Sequence, residues 1–200
     1  MNYRELALEL AKSRSILRAR DFTSAGIPLV YLKRLTESGD LVKLGRGLYQ
    51  DPDRVGEHIA HDLAEAASLM SNGVVCLVSA LRHHELTTQL PHTVWMMISH
   101  KARAPKDPPF PLKVVRASGS AFTSGIEIVS IEGVDVPVYG VAKTVADCFK
   151  YRRLVGEDVA IEALRDALRY RRATPSEIMR YASIDRCAAR IEPLVRAFQE

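Results

Sequence analysis

Two hundred residues, 47% hydrophobic, 26% charged and 6% aromatic, suffice for one or two buried cores and exclude disordered, collagen-like and low-complexity classes. No apolar run approaches the ~18–20 residues of a membrane span, and the opening MNYRELALELAK carries acids where a signal peptide has its apolar stretch, so a cytoplasmic location without membrane contact is expected. The net charge is +4, and residues 1–50 hold nine Lys and Arg against five Asp and Glu, so the whole excess sits in the first quarter of the chain. That asymmetry fits a nucleic-acid module joined to a neutral body.

Along the chain, residues 2–12 place Leu6, Ala7 and Leu10 on one helical face, and residues 20–25 read as a second short helix closed by Gly26. Pro28 stands at the expected first position of a third helix over residues 29–38. In it Leu29, Leu32 and Leu35 point one way, Val30, Lys33, Arg34 and Glu37 the other, with Tyr31 at the flank and Gly39 as the stop. LVKLGRGLYQ then holds two short β-prone runs joined by Gly45-Arg46-Gly47, a hairpin with an arginine at its tip. Helix, helix, turn, helix, hairpin is the order of a winged helix-turn-helix, whose second motif helix enters the major groove while the wing reaches phosphate or minor groove. On this reading Arg14, Arg18, Arg20, Lys33, Lys43 and Arg46 contact phosphate, and Tyr31 and Arg34 reach base edges.

Asp51-Pro52-Asp53 is a turn cluster that marks a boundary, giving residues 1–52 as the DNA-binding domain and 53–200 as a larger α+β domain. A helix over residues 57–70 opens the second part. VVCLV, VWMMIS, LKVVRA, IEIVSI and VDVPVYG follow as strands, interrupted by a helix-like SALRHHEL and a proline-rich loop, HKARAPKDPPFP. Helices begin near Val141, Glu157 and Pro175, with a last one after Ser183. The fold class expected is therefore α+β: an N-terminal winged helix-turn-helix, then a mixed sheet covered by helices.

The run AGIPLVYLKRLTESGDLVKLGRGLYQ resembles the N-terminal signature of the AbiEi antitoxins, the transcriptional-regulator half of type IV toxin-antitoxin and abortive-infection modules. Gly26, Ile27, Pro28, Leu32, Leu35, Gly39, Leu41, Arg46, Gly47 and Tyr49 carry the likeness. Members often have a basic or polar residue after the proline, where this chain has Leu29 and Val30. SALRHHELTTQLP and VYGVAKTVADCFKYRRLVGEDVAIEALRDAL look like blocks of the C-terminal antitoxin domain. The resemblance implies a repressor of its own operon that binds double-stranded operator DNA and neutralises a nucleotidyltransferase-like toxin without requiring a stable complex.

Signs of enzymatic or metal chemistry are sparse. His58 and His61 sit three apart, but EHIAH is not HExxH; His83 and His84 are adjacent and face different ways, one packed and one exposed. Gly119-Ser120 is followed by Glu127 alone rather than the acid pair that two-metal nucleotidyl transfer needs. Cys76, Cys148 and Cys187, odd in number and far apart, read as small buried apolar residues. On residues 157–172 Glu162 is spaced to pair with Arg165 and Asp166 with Arg169, which favours a self-paired helix over an RNA-gripping ridge. Lys101, Arg103, Lys106, Lys113 and Arg116, against Asp107 alone, form a second basic concentration that could extend a nucleic-acid surface. No catalytic, cofactor-binding or metal-binding residue is expected. A nucleic-acid-processing enzyme guided by the winged helix, acting through Glu127, and a ligand-sensing transcription factor without a toxin are the alternatives.

Overall fold

Leucine and alanine spaced at three and four residues fold the first segment into α1 (Tyr3–Ser13), whose Ala7 and Ala11 are fully buried. This is a computed structural model; it describes residues 2–13, 17–45, 47–54, 59–89 and 93–198. By internal contacts the chain forms two compact units. The first comprises Met1–Ser71, Pro105–Phe110 and Val129–Val136, the second Asn72–Ala104, Pro111–Ile128 and Pro137–Glu200.

In the first unit a two-residue strand β1 (Leu17–Arg18) precedes α2 (Ala19–Ser24) and α3 (Leu29–Glu37), and β2 (Val42–Gly45) and β3 (Leu48–Gln50) follow. The three strands form an antiparallel sheet in the order β1-β3-β2, with Leu17 opposite Tyr49 and Val42 opposite Gln50. β1 leaves no signature in the sequence, because two residues are too few to show alternation. Ala7, Ala11, Leu17, Phe22, Ile27, Leu32, Leu35 and Leu41 make one core cluster. A 3-10 turn (Pro52–Arg54) and α4 (Ile59–Leu69) follow, with Leu63, Ala64, Ala66 and Ala67 turned inward.

A five-stranded mixed sheet is drawn mostly from the second unit, with residues 129–131 and 134–136 of its last two strands counted in the first. Its strands are β4 (Gly73–Val75), β5 (Val94–Ser99), β6 (Leu112–Ala117), β7 (Ile126–Ile131) and β8 (Val134–Tyr139), in the order β6-β5-β4-β8-β7. β4 runs antiparallel to β5 and parallel to β8, and β5 runs parallel to β6. A parallel neighbour requires a crossover of about a dozen residues, usually helical; between β5 and β6 the proline-rich segment serves instead. The expected strand VVCLV is cut short: β4 ends at Val75, Cys76 is the N-cap, and Leu77, at φ +49°, opens α5 (Leu77–His83). Every residue of that run is buried, so periodicity could not separate strand from buried helix.

Two short helices that periodicity did not show, α6 (Ser120–Thr123) and α8 (Arg152–Val155), join the expected α7 (Val141–Lys150), α9 (Glu157–Arg169), α10 (Pro175–Ile184) and α11 (Ala188–Ala197). Residues from Ala142 to Phe149 of α7 are all buried, which marks it as the central helix of this unit. Val145, Ala146 and Phe149 pack with Leu81, Leu164, Ile178 and Ile191 in one continuous core. Cys76 and Cys148 lie fully buried in it, as expected, while Cys187 is only half-buried.

Inside that core the chain keeps three ionisable groups, with a fourth at its edge. Lys143 Nζ lies 2.5 Å from Asp147 Oδ1 and 3.0 Å from Asp185 Oδ2, and Lys150 Nζ reaches Asp185 Oδ1 at 3.1 Å. Lys143, Asp147 and Asp185 side chains have no solvent exposure, so their polar atoms are satisfied by one another within the protein rather than by water. Burial pushes the Asp147 carboxyl up to about 8, opposed by the Lys143 ammonium and reinforced by the Asp185 charge. The K-x-x-x-D spacing of Lys143 and Asp147 is visible in the sequence, but their burial is not, because both residue types are ordinarily exposed.

Candidate nucleic-acid interface

Gly26, at φ +78°, ends α2 in the left-handed conformation glycine adopts without strain, and the Ile27 amide donates to the Phe22 carbonyl at 2.9 Å. The chain then reverses through buried Ile27. Pro28 is the N-cap of α3 (φ −65°, ψ 140°), one position earlier than its expected place as the first helical residue. Gly39, at φ +79°, closes the other end, and the Leu41 amide bonds the Leu35 carbonyl at 3.0 Å. α2, turn and α3 thus have the arrangement of a helix-turn-helix.

α3 packs through Leu32 and Leu35. Leu29, expected inward, is instead 55% exposed, and Val30 is 52% exposed. At the first turn of a nine-residue helix, the inward stripe simply begins at the second turn. Leu29, Val30, Lys33 and Arg34 therefore form one exposed surface, apolar at its start and basic further on. Tyr31 is half-buried, its ring 5.2 Å from that of Tyr3 and 5.6 Å below the Arg34 guanidinium. Arg34 is thereby held over a ring while its edges stay exposed. Lys33 lies 3.7 Å from Glu37 across one turn, a pair so exposed that it is worth little in water.

At the C-terminal end of α3, Asp40 accepts two bonds from Arg4 Nη2, at 2.9 and 3.0 Å, and one from Ser38 Oγ at 2.8 Å. The Ser38 bond and then the Arg4 bond hold its carboxyl below the usual carboxylate value. This contact ties α1 to the end of α3, and it uses Arg4 as a brace.

The remaining expected residues are dispersed. Lys43 is exposed on β2, opposite Tyr49 of β3, next to a bulge between Lys43 and Gly45. Arg46 and Arg14 lie outside the described residues, as does His58; the His61 side chain does too. Arg18 is half-buried: its Nη2 donates to the Ala67 carbonyl at 3.4 Å, and burial, then the nearby Arg20 charge, lowers its pKa. Arg18 and Arg20 line a cavity of about 220 Å³ with Asp21 and Asp135. Of the eight expected contacts, the structure brings Tyr31, Lys33 and Arg34 together on α3 and sets Arg18 and Arg20 in one cavity with Asp21 and Asp135.

Residues 4–50 match the family model described as transcriptional regulator, AbiEi antitoxin. The match spans α1 through β3, ending at the last residue of the hairpin, and so covers all the elements just described. No curated protein matches the chain. Among solved structures, the chain is similar to the crystal structure of the RV2827C protein from Mycobacterium tuberculosis, with a TM-score of 0.64 at 15% identity, over 97% of this chain and 80% of that one. That likeness concerns the fold.

Among the described residues no three His, Cys, Asp or Glu side chains gather as a metal site, and no helix is long and apolar enough to cross a membrane. His84 is packed, its Nε2 2.7 Å from the Tyr139 carbonyl, and burial followed by the neighbouring His84 lowers the pKa of half-buried His83.

Proposed function

We propose that the chain is a DNA-binding autorepressor and antitoxin, in which residues 1–52 act as a winged helix-turn-helix on duplex operator DNA. The observation that carries this is the exposed face of α3 inside the segment that matches the AbiEi family model. α3 enters the major groove; Lys33 and Lys43 hold phosphate, joined by Arg46 and Arg20; Arg34, oriented by the Tyr31 ring, reaches a base edge. Leu29 and Val30, in place of the polar residues usual after the proline, meet thymine methyl groups, the one apolar feature of the major groove. The larger body neutralises a nucleotidyltransferase-like toxin encoded alongside, without a stable complex and without chemistry of its own. This last part rests on the AbiEi resemblance.

The test is binding of the full chain to the DNA upstream of its own gene, titrated with salt against a scrambled duplex. Lys33→Ala and Lys43→Ala should weaken binding to every sequence and flatten the log–log salt dependence by about 0.9 per lost phosphate contact. Arg34→Ala should instead cost about 1–3 kcal/mol of discrimination between operator and scrambled duplex. Unchanged binding in all three removes the assignment. Neutralisation is read separately, as survival of cells that co-express the neighbouring toxin gene.

A further inference from the structure

The turn between α9 and α10 gathers guanidinium groups and phenol rings that the duplex-reading proposal does not use. Arg165, Arg169, Arg171, Arg172 and Arg180 occupy the second half of one helix, the turn and the middle of the next, with Asp166 and Glu177 as the acids in that stretch. Asp166 is taken by Arg165 Nε at 3.5 Å. Glu177 Oε2 is held by the Thr174 amide at 2.8 Å and hydroxyl at 2.7 Å. Neither expected pairing, Glu162 with Arg165 or Asp166 with Arg169, forms among the described residues. Arg169 stands 5.7 Å over the Tyr170 ring, and Arg180 stands 4.6 Å over the Tyr181 ring while its Nη2 donates to the Tyr181 hydroxyl at 2.8 Å.

Arg169, Arg171, Arg172 and Arg180 are exposed and form no ion pair among the described residues, although the Arg180 charge helps hold Glu177 ionised. Tyr170 is 61% exposed. Arg171 sits at φ +53°, where glycine would be strain-free, so the turn carries an arginine at a conformational cost. Arg172, Arg180 and Tyr181 also line a cleft of about 310 Å³ with Glu127 and Glu177, the size of a small ligand site.

Unpaired guanidinium groups held close repel one another and gain by meeting a polyanion. Exposed rings carrying guanidinium planes are platforms for base faces, which a duplex hides and a single strand presents. The two carboxylates in the cleft repel phosphate but accept a hydrogen bond from a 2′-hydroxyl, which deoxyribose lacks. We propose that the α9–α10 turn binds single-stranded RNA, with phosphates on Arg169, Arg171 and Arg172, a base on Tyr170, and one nucleotide seated in the cleft between Arg172, Arg180 and Tyr181.

The experiment is fluorescence anisotropy of the full chain with a short unstructured labelled RNA, and with single-stranded DNA of the same sequence. Arg171→Ala with Arg172→Ala should weaken RNA binding at least tenfold and reduce the salt slope by about 0.7 per lost phosphate contact. Tyr170→Ala should weaken it about tenfold and Tyr170→Phe should not, since the ring supplies the stacking. Lys33→Ala with Arg34→Ala should leave RNA affinity intact, which separates this site from α3. All these side chains are exposed or half-buried, and an unchanged Tm confirms folding. Unchanged affinity in the arginine pair or in Tyr170→Ala, loss confined to the α3 variant, or equal affinity for the DNA strand would each overturn the proposal.

Discussion

Leu29 and Val30 stand in water at the start of α3, where an apolar side chain contributes nothing to the core and gains only by meeting another surface. Changing both to Ser should leave stability within about 0.5 kcal/mol, because neither is buried. Discrimination of operator from scrambled duplex should fall. Replacing thymine by uracil in the operator removes the methyl groups alone, and it should weaken the native chain while leaving the Ser variant unaffected. Equal effects on both would show that these residues do not read thymine.

Lys143 makes the opposite case, a cation whose removal is felt only inside. Lys143→Met would leave Asp147 and Asp185 buried with Lys150 on one side only, a loss of about 3–5 kcal/mol that urea denaturation would register. Asp147 gives the cluster a pH dependence. Burial pushes its carboxyl from about 3.8, the value of a free side chain, up to about 8 in the folded protein. Between those values the folded chain holds a proton that the unfolded chain has released, so this group's contribution is complete below the lower value and is lost as pH rises through the upper one. Thermal unfolding from about pH 5 to about pH 9 should show Tm falling in the native chain and falling less in Asp147→Asn.

At the scale of elements, α10 begins with a reciprocal cap: Thr174 Oγ1 accepts from the Glu177 amide at 3.3 Å, and the Glu177 carboxylate accepts from the Thr174 amide at 2.8 Å, with Pro175 at the first position. Those bonds hold the Glu177 carboxyl below its ordinary value. Thr174→Ala should cost about 1 kcal/mol in a denaturant titration. The helix start near Pro175 was legible, and so were β5 to β8, whose runs are long and well punctuated. β1 and α8 were not, because elements of two and four residues carry no period, and β4 was overextended because Cys76, Leu77 and Val78 are as apolar as the strand before them. The candidate surface divided in the same way. Lys33 and Arg34 followed from helical spacing, whereas Leu29's exposure depended on where the packed stripe begins and Arg18's on the Ala67 carbonyl, which tertiary folding alone supplies.

Across the whole molecule, the positive excess of residues 1–50 and the arginines of the α9–α10 turn are separate concentrations of charge, and the proposals give them different nucleic acids. The compact units, however, are not consecutive blocks of sequence. The first takes Pro105–Phe110 and Val129–Val136 as well as Met1–Ser71, so the chain passes from one unit to the other five times. Truncation after residue 52 removes both returning segments along with α4, and circular dichroism of such a fragment should show a broader, lower melt than the full chain. The same interleaving bears on inheritance. A single recombination point between residues 71 and 105 would separate Met1–Ser71 from the two later segments that complete its unit, so a hybrid gene would encode mismatched partners. On the proposed reading of α3, changes of DNA preference are therefore expected to arise by point substitution at Leu29, Val30 and Arg34, with the rest of the chain inherited whole.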